Sequence, residues 1–137
     1  MQNFITVKPR FSDFNGQGLL KASIHLDLAC ESQLAQMSPR YNLPLSRFVS
    51  EGLRWHIEDF KISFPQVRRT LDPLRIEADV VAAEETAMTV SFAFFDSSKE
   101  KKFAFGSIRF ELVGKNDLPV KLPADVRESL MKNGRIK

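Results

Sequence analysis

Cysteine is almost absent from this sequence of 137 residues, which contains a single one, Cys30. One cysteine excludes an intramolecular disulfide framework and any zinc site built from several cysteines. Uninterrupted apolar runs are only a few residues long, so no segment is predicted to span a bilayer. The first ten residues, MQNFITVKPR, lack the apolar stretch of a signal peptide. We therefore expect one soluble domain, residues 1–137, in the reducing cytoplasm.

The excess of one sign of charge over the other is also small. The 20 Lys and Arg residues barely exceed the 17 Asp and Glu residues, which gives a formal net charge of +3. This excess falls short of the dense basic surface of a nucleic-acid-binding protein, and it favours an anionic partner such as a phosphorylated cofactor or an acidic carrier protein. Tryptophan and tyrosine occur once each, whereas phenylalanine occurs 12 times. This aromatic content is typical of an apolar core or acyl pocket rather than of a base-stacking surface.

The first part of the chain is predicted to be mainly helical. Residues 4–8 alternate as in a short strand, and residues 12–18 are rich in turn-forming residues. Residues 20–37 predict a long helix with apolar residues around most of its circumference, a pattern typical of a buried helix. Residues 41–52 predict a short second helix with Pro44 in its first turn.

From residue 53 onward the apolar period changes to two, which predicts strands. A phase slip at Glu58 and Asp59 indicates a β-bulge in the first strand. Three further strands are expected, followed by a short helix, at residues 74–82, 88–95, 103–113 and 123–132. Strands joined by short polar turns, such as residues 96–101, pair antiparallel. The predicted class is therefore α+β, with a long central helix wrapped by a curved antiparallel β-sheet.

The last two strands carry apolar residues at positions that face both sides of the sheet. The phenylalanines concerned are Phe92, Phe94, Phe95, Phe103, Phe105 and Phe110. One side of the sheet can cover the helix, but the other would lie bare in a monomer. We therefore expect a homo-oligomer.

Residues 10–20 read RFSDFNGQGLL and lead directly into the predicted long helix. This segment resembles the opening of hot-dog-fold thioesterases of the 4-hydroxybenzoyl-CoA thioesterase type, which typically has the pattern R-x-x-D-x-D-x-x-G followed by two apolar residues. Arg10, Asp13, Gly18 and Leu19-Leu20 match this pattern without a gap. Two later segments also resemble the family, namely Ile62-Ser63-Phe64 followed by Asp72, and residues 122–126. The resemblance implies the hot-dog fold, with active sites across a dimer interface in a homodimer or homotetramer.

The resemblance further implies an acyl thioesterase that hydrolyses an acyl-CoA or acyl-carrier-protein thioester. Coenzyme A would enter as part of the substrate, and no separate cofactor is expected. Asn15 occupies the place of the family's catalytic aspartate. An amide cannot act as a nucleophile or general base, but it can position a water or donate a hydrogen bond to the thioester carbonyl. A non-catalytic module that binds an acyl ligand or a carrier protein therefore remains the alternative.

Other residues near Asn15 are candidates for the reaction. The backbone N–H groups of Ala22 and Ser23, at the predicted start of the long helix, form a potential oxyanion site. Asp13 is a candidate substitute for the missing acid, although an Asp before a glycine-rich turn more often shapes the loop. Glu58 and Asp59, at the predicted bulge, are candidates to complete the site of a neighbouring protomer.

Several further residues are predicted to bind the substrate. The resemblance places Gly18 and Leu19 beside the substrate, and His25 near the helix start is a candidate for ligand contact. Glu31 is a candidate supporting carboxylate or alternative base, although a solvated or interface carboxylate is the more common situation. Arg68 and Arg69 are candidates for contacts with coenzyme A phosphates, or ordinary surface residues.

No metal site and no cysteine nucleophile are expected. Only two histidines are present, His25 and His56, and no carboxylate or thiol accompanies them at metal-ligand spacing. Cys30 has no recognisable histidine partner, and a small buried residue explains it better than a nucleophile does.

Overall fold

A computed structural model describes residues 2–66 and 71–136. Within them the chain forms five strands, three α-helices and a 3-10 turn at Phe11–Asp13. The elements are β1 (Phe4–Val7), α1 (Ala22–Met37), α2 (Leu45–Ser50), β2 (Arg54–Ser63), β3 (Leu74–Ala83), β4 (Ala87–Asp96), β5 (Lys102–Val113) and α3 (Ala124–Asn133). None of the described helices is long and apolar enough to cross a membrane.

The five strands form one antiparallel sheet in the order β1-β3-β4-β5-β2. The predicted polar turn between β4 and β5 is confirmed, because Asp96 Oδ1 accepts the backbone N–H groups of Glu100 and Lys101 at 2.7 and 3.1 Å. Strand β2 precedes β3, β4 and β5 in the chain. It nevertheless lies at one edge of the sheet, where it pairs with β5. The predicted α+β class with an antiparallel sheet is confirmed.

Both β2 and β3 contain bulges. The pairing of β2 with β5 shifts between Ile57 and Asp59, which confirms the bulge predicted at this position. Because of the extra residue, Ile57 and Phe60 both pair with residues of β5 that face the core. A second shift, between Val80 and Ala82 in β3, was not predicted. The apolar residues around it are continuous in the sequence, so no phase slip reveals it.

Helix α1 packs against β1, β3 and β4 on one face of the sheet. The expectation that it is buried on most sides is wrong for a single protomer, since Asp27, Glu31 and Leu34 are exposed on its other side. The buried side also includes polar residues. Their hydrogen bonds to the sheet compensate for burial, as when Ser32 Oγ donates to the Ile76 carbonyl at 2.7 Å.

A proline directly precedes each of the two shorter helices. Pro44 and Pro123 are the N-cap residues of α2 and α3 rather than members of the first turn. Helix α2 is shorter than the predicted 41–52 because Tyr41, which is fully buried, belongs to the turn that precedes it. Gly52 follows α2 with a φ of 71°, a conformation that favours glycine.

The outer face of the sheet differs from the prediction of a bare apolar surface. Outward positions of β4 and β5 carry small or polar residues, among them Thr89, Ser91, Ser107 and Arg109. Phe92, Phe94 and Phe110 are buried in the core instead. Phe95 faces outward, but the ammonium groups of Lys99 and Lys102 lie 5.3 and 5.7 Å from its ring centre. Phe103 also lies in the core, whereas Phe105 is 43% exposed, with the Lys102 ammonium 5.4 Å from its ring centre. The outer face is thus less apolar than predicted, and a homo-oligomer stays a prediction.

Candidate functional site

The loop before α1 is closed at its base by backbone pairing. The Asp13 carbonyl accepts the Lys21 N–H at 2.9 Å, Phe14 pairs with Leu20, and the Asn15 N–H donates to the Leu19 carbonyl at 2.8 Å. Asn15 and the first turn of α1 are thus held by one short hairpin-like loop. Whether the Asn15 amide and the helix start act on one substrate stays a prediction.

The side chain of Asn15 shapes this loop. Its Oδ1 accepts the backbone N–H groups of Gln17 and Leu19 at 2.8 and 3.1 Å. Gly18 follows with a φ of 76°, which closes the turn in a conformation that favours glycine. The amide oxygen is therefore occupied by the loop, and Nδ2 donates no hydrogen bond to the described residues. An aspartate here could keep the same loop bonds and still present a carboxylate oxygen.

Asn15 lines an open cavity of about 510 Å³, here called the loop cavity. Among the described residues, its lining consists of Phe11, Phe14, Asn15, Gly16, Gly18 and Leu71. Phe11 is 88% exposed and Leu71 is 43% exposed, so two large apolar side chains are accessible to solvent beside the Asn15 amide. A cavity whose described lining has a single polar side chain suits an acyl chain whose carbonyl is bound at one end.

Asp13 is only 6% exposed, and its carboxylate is engaged within the loop. It accepts the Arg10 backbone N–H at 2.7 Å and a guanidinium N–H of the same residue at 3.3 Å. Both contacts stabilise the 3-10 turn at residues 11–13. They match the interpretation that Asp13 shapes the loop, and a role in the reaction stays a prediction.

Helix α1 begins at Ala22, two residues later than predicted, because Leu20 is paired with Phe14. Its N-cap residue, Lys21, makes no capping side-chain hydrogen bond. The Ile24 N–H donates to the Lys21 carbonyl at 3.1 Å, whereas Ala22 and Ser23, the first two helical residues, are exposed and their N–H groups have no acceptor within the helix. The oxyanion site predicted at these two residues is thus open to solvent, and its use by a substrate stays a prediction.

His25 lies one turn into α1 and is 3% exposed. Its Nδ1 lies 2.9 Å from the Lys21 carbonyl oxygen and donates to it, which leaves Nε2 without a proton in the neutral ring. Burial lowers the pKa of His25, which favours this neutral form. The ring packs against Phe64 and Phe94, with both ring centres 4.9 Å away. His25 does not line the loop cavity, and its contact with a ligand stays a prediction.

The remaining candidates lie apart from the loop cavity or outside the described residues. Glu31 is exposed on α1, as expected of a solvated carboxylate. Burial, with a smaller contribution from the charge of Asp27, raises the pKa of Cys30 to about 11, so the residue is a neutral thiol near pH 7. Leu19 is half-buried in the loop. Arg68 and Arg69 lie outside the described residues.

The bulge residues are engaged in ion pairs. Glu58 Oε2 lies 2.9 Å from Nε of Arg109, which also pairs with Glu84 at 2.6 Å. Asp59 lies 3.6 Å from the Lys61 ammonium. A role of Glu58 or Asp59 in a neighbouring protomer's site stays a prediction. Across residues 2–66 and 71–136, no group of three or more His, Cys, Asp or Glu residues could hold a metal ion.

Four cavity residues, Phe11, Phe14, Gly16 and Leu71, were not among the predicted site residues. Phe11 and Phe14 have a signal, because they are apolar residues in a segment rich in turn formers. Leu71 has no such signal, since its proximity to the loop depends on the path of a segment far away in sequence.

Comparison with known proteins identifies the architecture. The DHNA-CoA thioesterase from Staphylococcus aureus superposes with a TM-score of 0.86 over 95% of this chain and 89% of its own, at 10% identity. Slr0204, a 1,4-dihydroxy-2-naphthoyl-CoA thioesterase from Synechocystis, has a TM-score of 0.81 over 93% and 94% of the two chains, at 14% identity. The chain has the hot-dog fold.

A third structure, the BH1999 gentisyl-coenzyme A thioesterase, covers 90% of this chain and 98% of its own, with a TM-score of 0.80 and 13% identity. No sequence-family model matches the chain, and no curated protein matches it in sequence. The identity to these structures is low, so the likeness establishes the hot-dog fold and leaves the reaction to be argued from the residues.

Proposed function

We propose that this hot-dog protein is an acyl thioesterase that hydrolyses an acyl-CoA or acyl-carrier-protein thioester. The position of Asn15 carries the proposal. Its amide lies in the wall of an open apolar cavity, on the loop that leads into the uncapped N-terminus of α1. The three thioesterases that share the fold act on coenzyme A thioesters by their names, which favours the same substrate class here.

In this proposal the acyl group occupies the loop cavity against Phe11, Phe14 and Leu71. The thioester carbonyl oxygen accepts hydrogen bonds from the N–H groups of Ala22 and Ser23, where the helix dipole also favours negative charge. Asn15 Nδ2 donates either to this oxygen or to the attacking water. Water adds to the carbonyl carbon, the C–S bond breaks, and the thiol leaves with a proton.

The proton of the attacking water needs an acceptor, and the described lining of the loop cavity contains no titratable side chain. We propose that a second protomer supplies it, with Glu58 or Asp59 as the candidates. Self-association is supported by an apolar hollow of about 230 Å³ beside the edge strand β2, lined by Leu34, Leu45, Phe48, Val49, Leu53, Arg54 and Trp55. Val49 is 76% exposed there.

The proposal includes a cytoplasmic location and no cofactor besides the substrate's coenzyme A.

Self-association at this hollow has its own test. Among the described strands, β2 lies at one edge of the sheet, so an edge strand of a second copy can pair with it. We expect light scattering to report a dimer or tetramer for the wild type and a smaller species for Val49→Glu. A wild-type monomer would contradict the proposal.

The alternative is a binding module without hydrolysis. It is favoured by one observation, which is that Asn15 Oδ1 is occupied by loop N–H groups and no carboxylate takes its place in the described cavity lining. Such a protein would hold an acyl thioester in the same cavity and release it unchanged.

A panel of acyl-CoA substrates with a thiol reagent, repeated with acyl-carrier proteins, distinguishes the two functions. We expect turnover by the wild type and a raised KM for Phe11→Ser, which removes an apolar wall of the loop cavity. Leu118→Ser is the matched control, because Leu118 is 63% exposed but lies outside that lining. Saturable binding of acyl thioesters without turnover would favour the binding module, and equal KM values for the two variants would refute the cavity assignment.

A further inference from the structure

An open groove of about 930 Å³ runs along the outward side of α3, far along the chain from the loop cavity. We call it the α3 groove. It lies between residues 121–123 and one face of the helix, and its helical lining residues are Ala124, Arg127, Glu128, Met131 and Lys132. Their spacing places them on one side of α3. Val126 and Leu130, on the opposite side, are fully buried.

The floor of the α3 groove is apolar. Leu122, Pro123 and Ala124 form one end, and Met131 extends the apolar surface along the helix. Met131 is 49% exposed although Leu130 beside it is fully buried, so the methionine contributes little to the core of the protomer. Methionine is flexible and polarisable, and it is common on surfaces that accept an apolar partner.

The rim of the α3 groove is positively charged. It carries Lys121, Arg127 and Lys132, whereas Glu128 is its one acidic lining residue. Nearby arginines behave differently, because Arg47 pairs with Asp125 and Arg54 lies 2.7 Å from Asp117. In the described part of the chain, no carboxylate oxygen lies within 4.0 Å of the charged nitrogens of the three rim residues.

We propose that the α3 groove docks an acidic amphipathic helix of an acyl-carrier protein, an inference that rests on the proposed function at an acyl thioester. An apolar floor between unpaired cations is complementary to a helix whose apolar stripe is flanked by Asp and Glu. The three cations are exposed and lie on flexible side chains. They suit a broad protein surface better than a small anion, which is usually held by buried donors.

Binding to a holo-acyl-carrier protein that carries no acyl group tests the proposal without any reaction. We expect a fluorescently labelled carrier protein to bind the wild type, and the affinity to weaken at higher salt. The double variant Lys121→Glu/Arg127→Glu should bind at least about tenfold more weakly, because it replaces attraction by repulsion at two rim positions. Lys115→Glu is the matched control, since Lys115 is exposed but does not line the groove.

Three outcomes would overturn the proposal. The first is no affinity of the wild type for the carrier protein, and the second is binding by the double variant as tight as that of the control. The third is a change of oligomeric state in the double variant, which would make the groove an interface between copies of this chain. Thermal unfolding of each variant shows whether it is folded. Hydrolysis of acyl-CoA and of acyl-carrier-protein thioesters, measured in parallel, separates the two claims. Groove-dependent binding without hydrolysis of either substrate contradicts the thioesterase alone, and hydrolysis without carrier binding contradicts the docking surface alone.

Discussion

The strongest test of the fold is the buried ion pair at the C-terminal end of α1. Asp79 of β3 is 4% exposed, and its Oδ1 lies 2.9 Å from Nη1 of Arg40. Its Oδ2 accepts a hydrogen bond from Asn3 Nδ2 at 3.2 Å. Arg40 also donates to the Asn133 carbonyl at 2.9 Å and to Gln36 Oε1 at 2.7 Å. One carboxylate thus connects the N-terminus, α1, β3 and the end of α3.

Asp79→Ala removes the carboxylate and leaves the buried Arg40 guanidinium with neutral hydrogen-bond acceptors only. Loss of one member of a buried ion pair typically costs about 3–5 kcal/mol. We expect about 3 kcal/mol here, because Gln36 and two carbonyl groups continue to accept hydrogen bonds from Arg40. Asp79→Asn keeps the shape and should cost less, about 1.5 kcal/mol.

Urea unfolding of the two variants measures these free energies. Arg54→Ala is the control, since its pair with Asp117 is 54% and 74% exposed and should contribute no more than about 1 kcal/mol. The double variant Asp79→Leu/Arg40→Leu should be less destabilised than the sum of its single variants, because it leaves no buried charge behind. A cost below about 1 kcal/mol for Asp79→Ala would refute the argument.

Two further predictions concern the core. A Cβ added to Gly106 in β5 would lie 1.9 Å from the Lys61 carbonyl oxygen of β2, so Gly106→Ala should lower the stability by about 3 kcal/mol and the Tm by roughly 10 °C. Gly16→Ala, whose added Cβ meets no atom within 4 Å, should unfold within a few degrees of the wild type, and equal Tm values for both variants would contradict this packing. Burial lowers the pKa of His25, so below its ordinary value of 6.5 the unfolded chain takes up a proton that the folded chain resists. Wild-type stability should therefore fall from pH 7.5 towards pH 5 more steeply than that of His25→Phe, as measured by urea unfolding, and parallel slopes would show that His25 is not held neutral by burial.

Strand positions could be predicted from the sequence to within one or two residues, because a half-buried strand alternates with period two. The bulge in β2 was also predictable, since Glu58 interrupts that alternation. The bulge in β3 was not, because Val80, Val81 and Ala82 leave no visible change of phase. Local periodicity therefore locates strands well and locates their irregularities only where polar residues mark them.

The burial of α1 was harder to predict because polarity is a poor guide inside this helix. Gln36 is 3% exposed, since its Nε2 donates to the carbonyls of Ser32 and Ala78 at 3.0 and 3.1 Å. Leu34 is 37% exposed on the opposite side. The candidate site shows the same limit: the loop from Asp13 to Ser23 was predictable from its motif, whereas the neighbourhood of Leu71 depends on tertiary structure.

The central claim, that the Asn15 amide serves a thioester bound in the loop cavity, is tested most directly by the kcat of Asn15 variants on one acyl thioester. The account predicts a loss of about a hundredfold for Asn15→Ala, as for removal of an oxyanion hydrogen-bond donor. Asn15→Asp keeps the loop acceptor and adds a carboxylate, so it should be more active than Asn15→Ala. Wild-type kcat in the folded Asn15→Ala variant would contradict the claim.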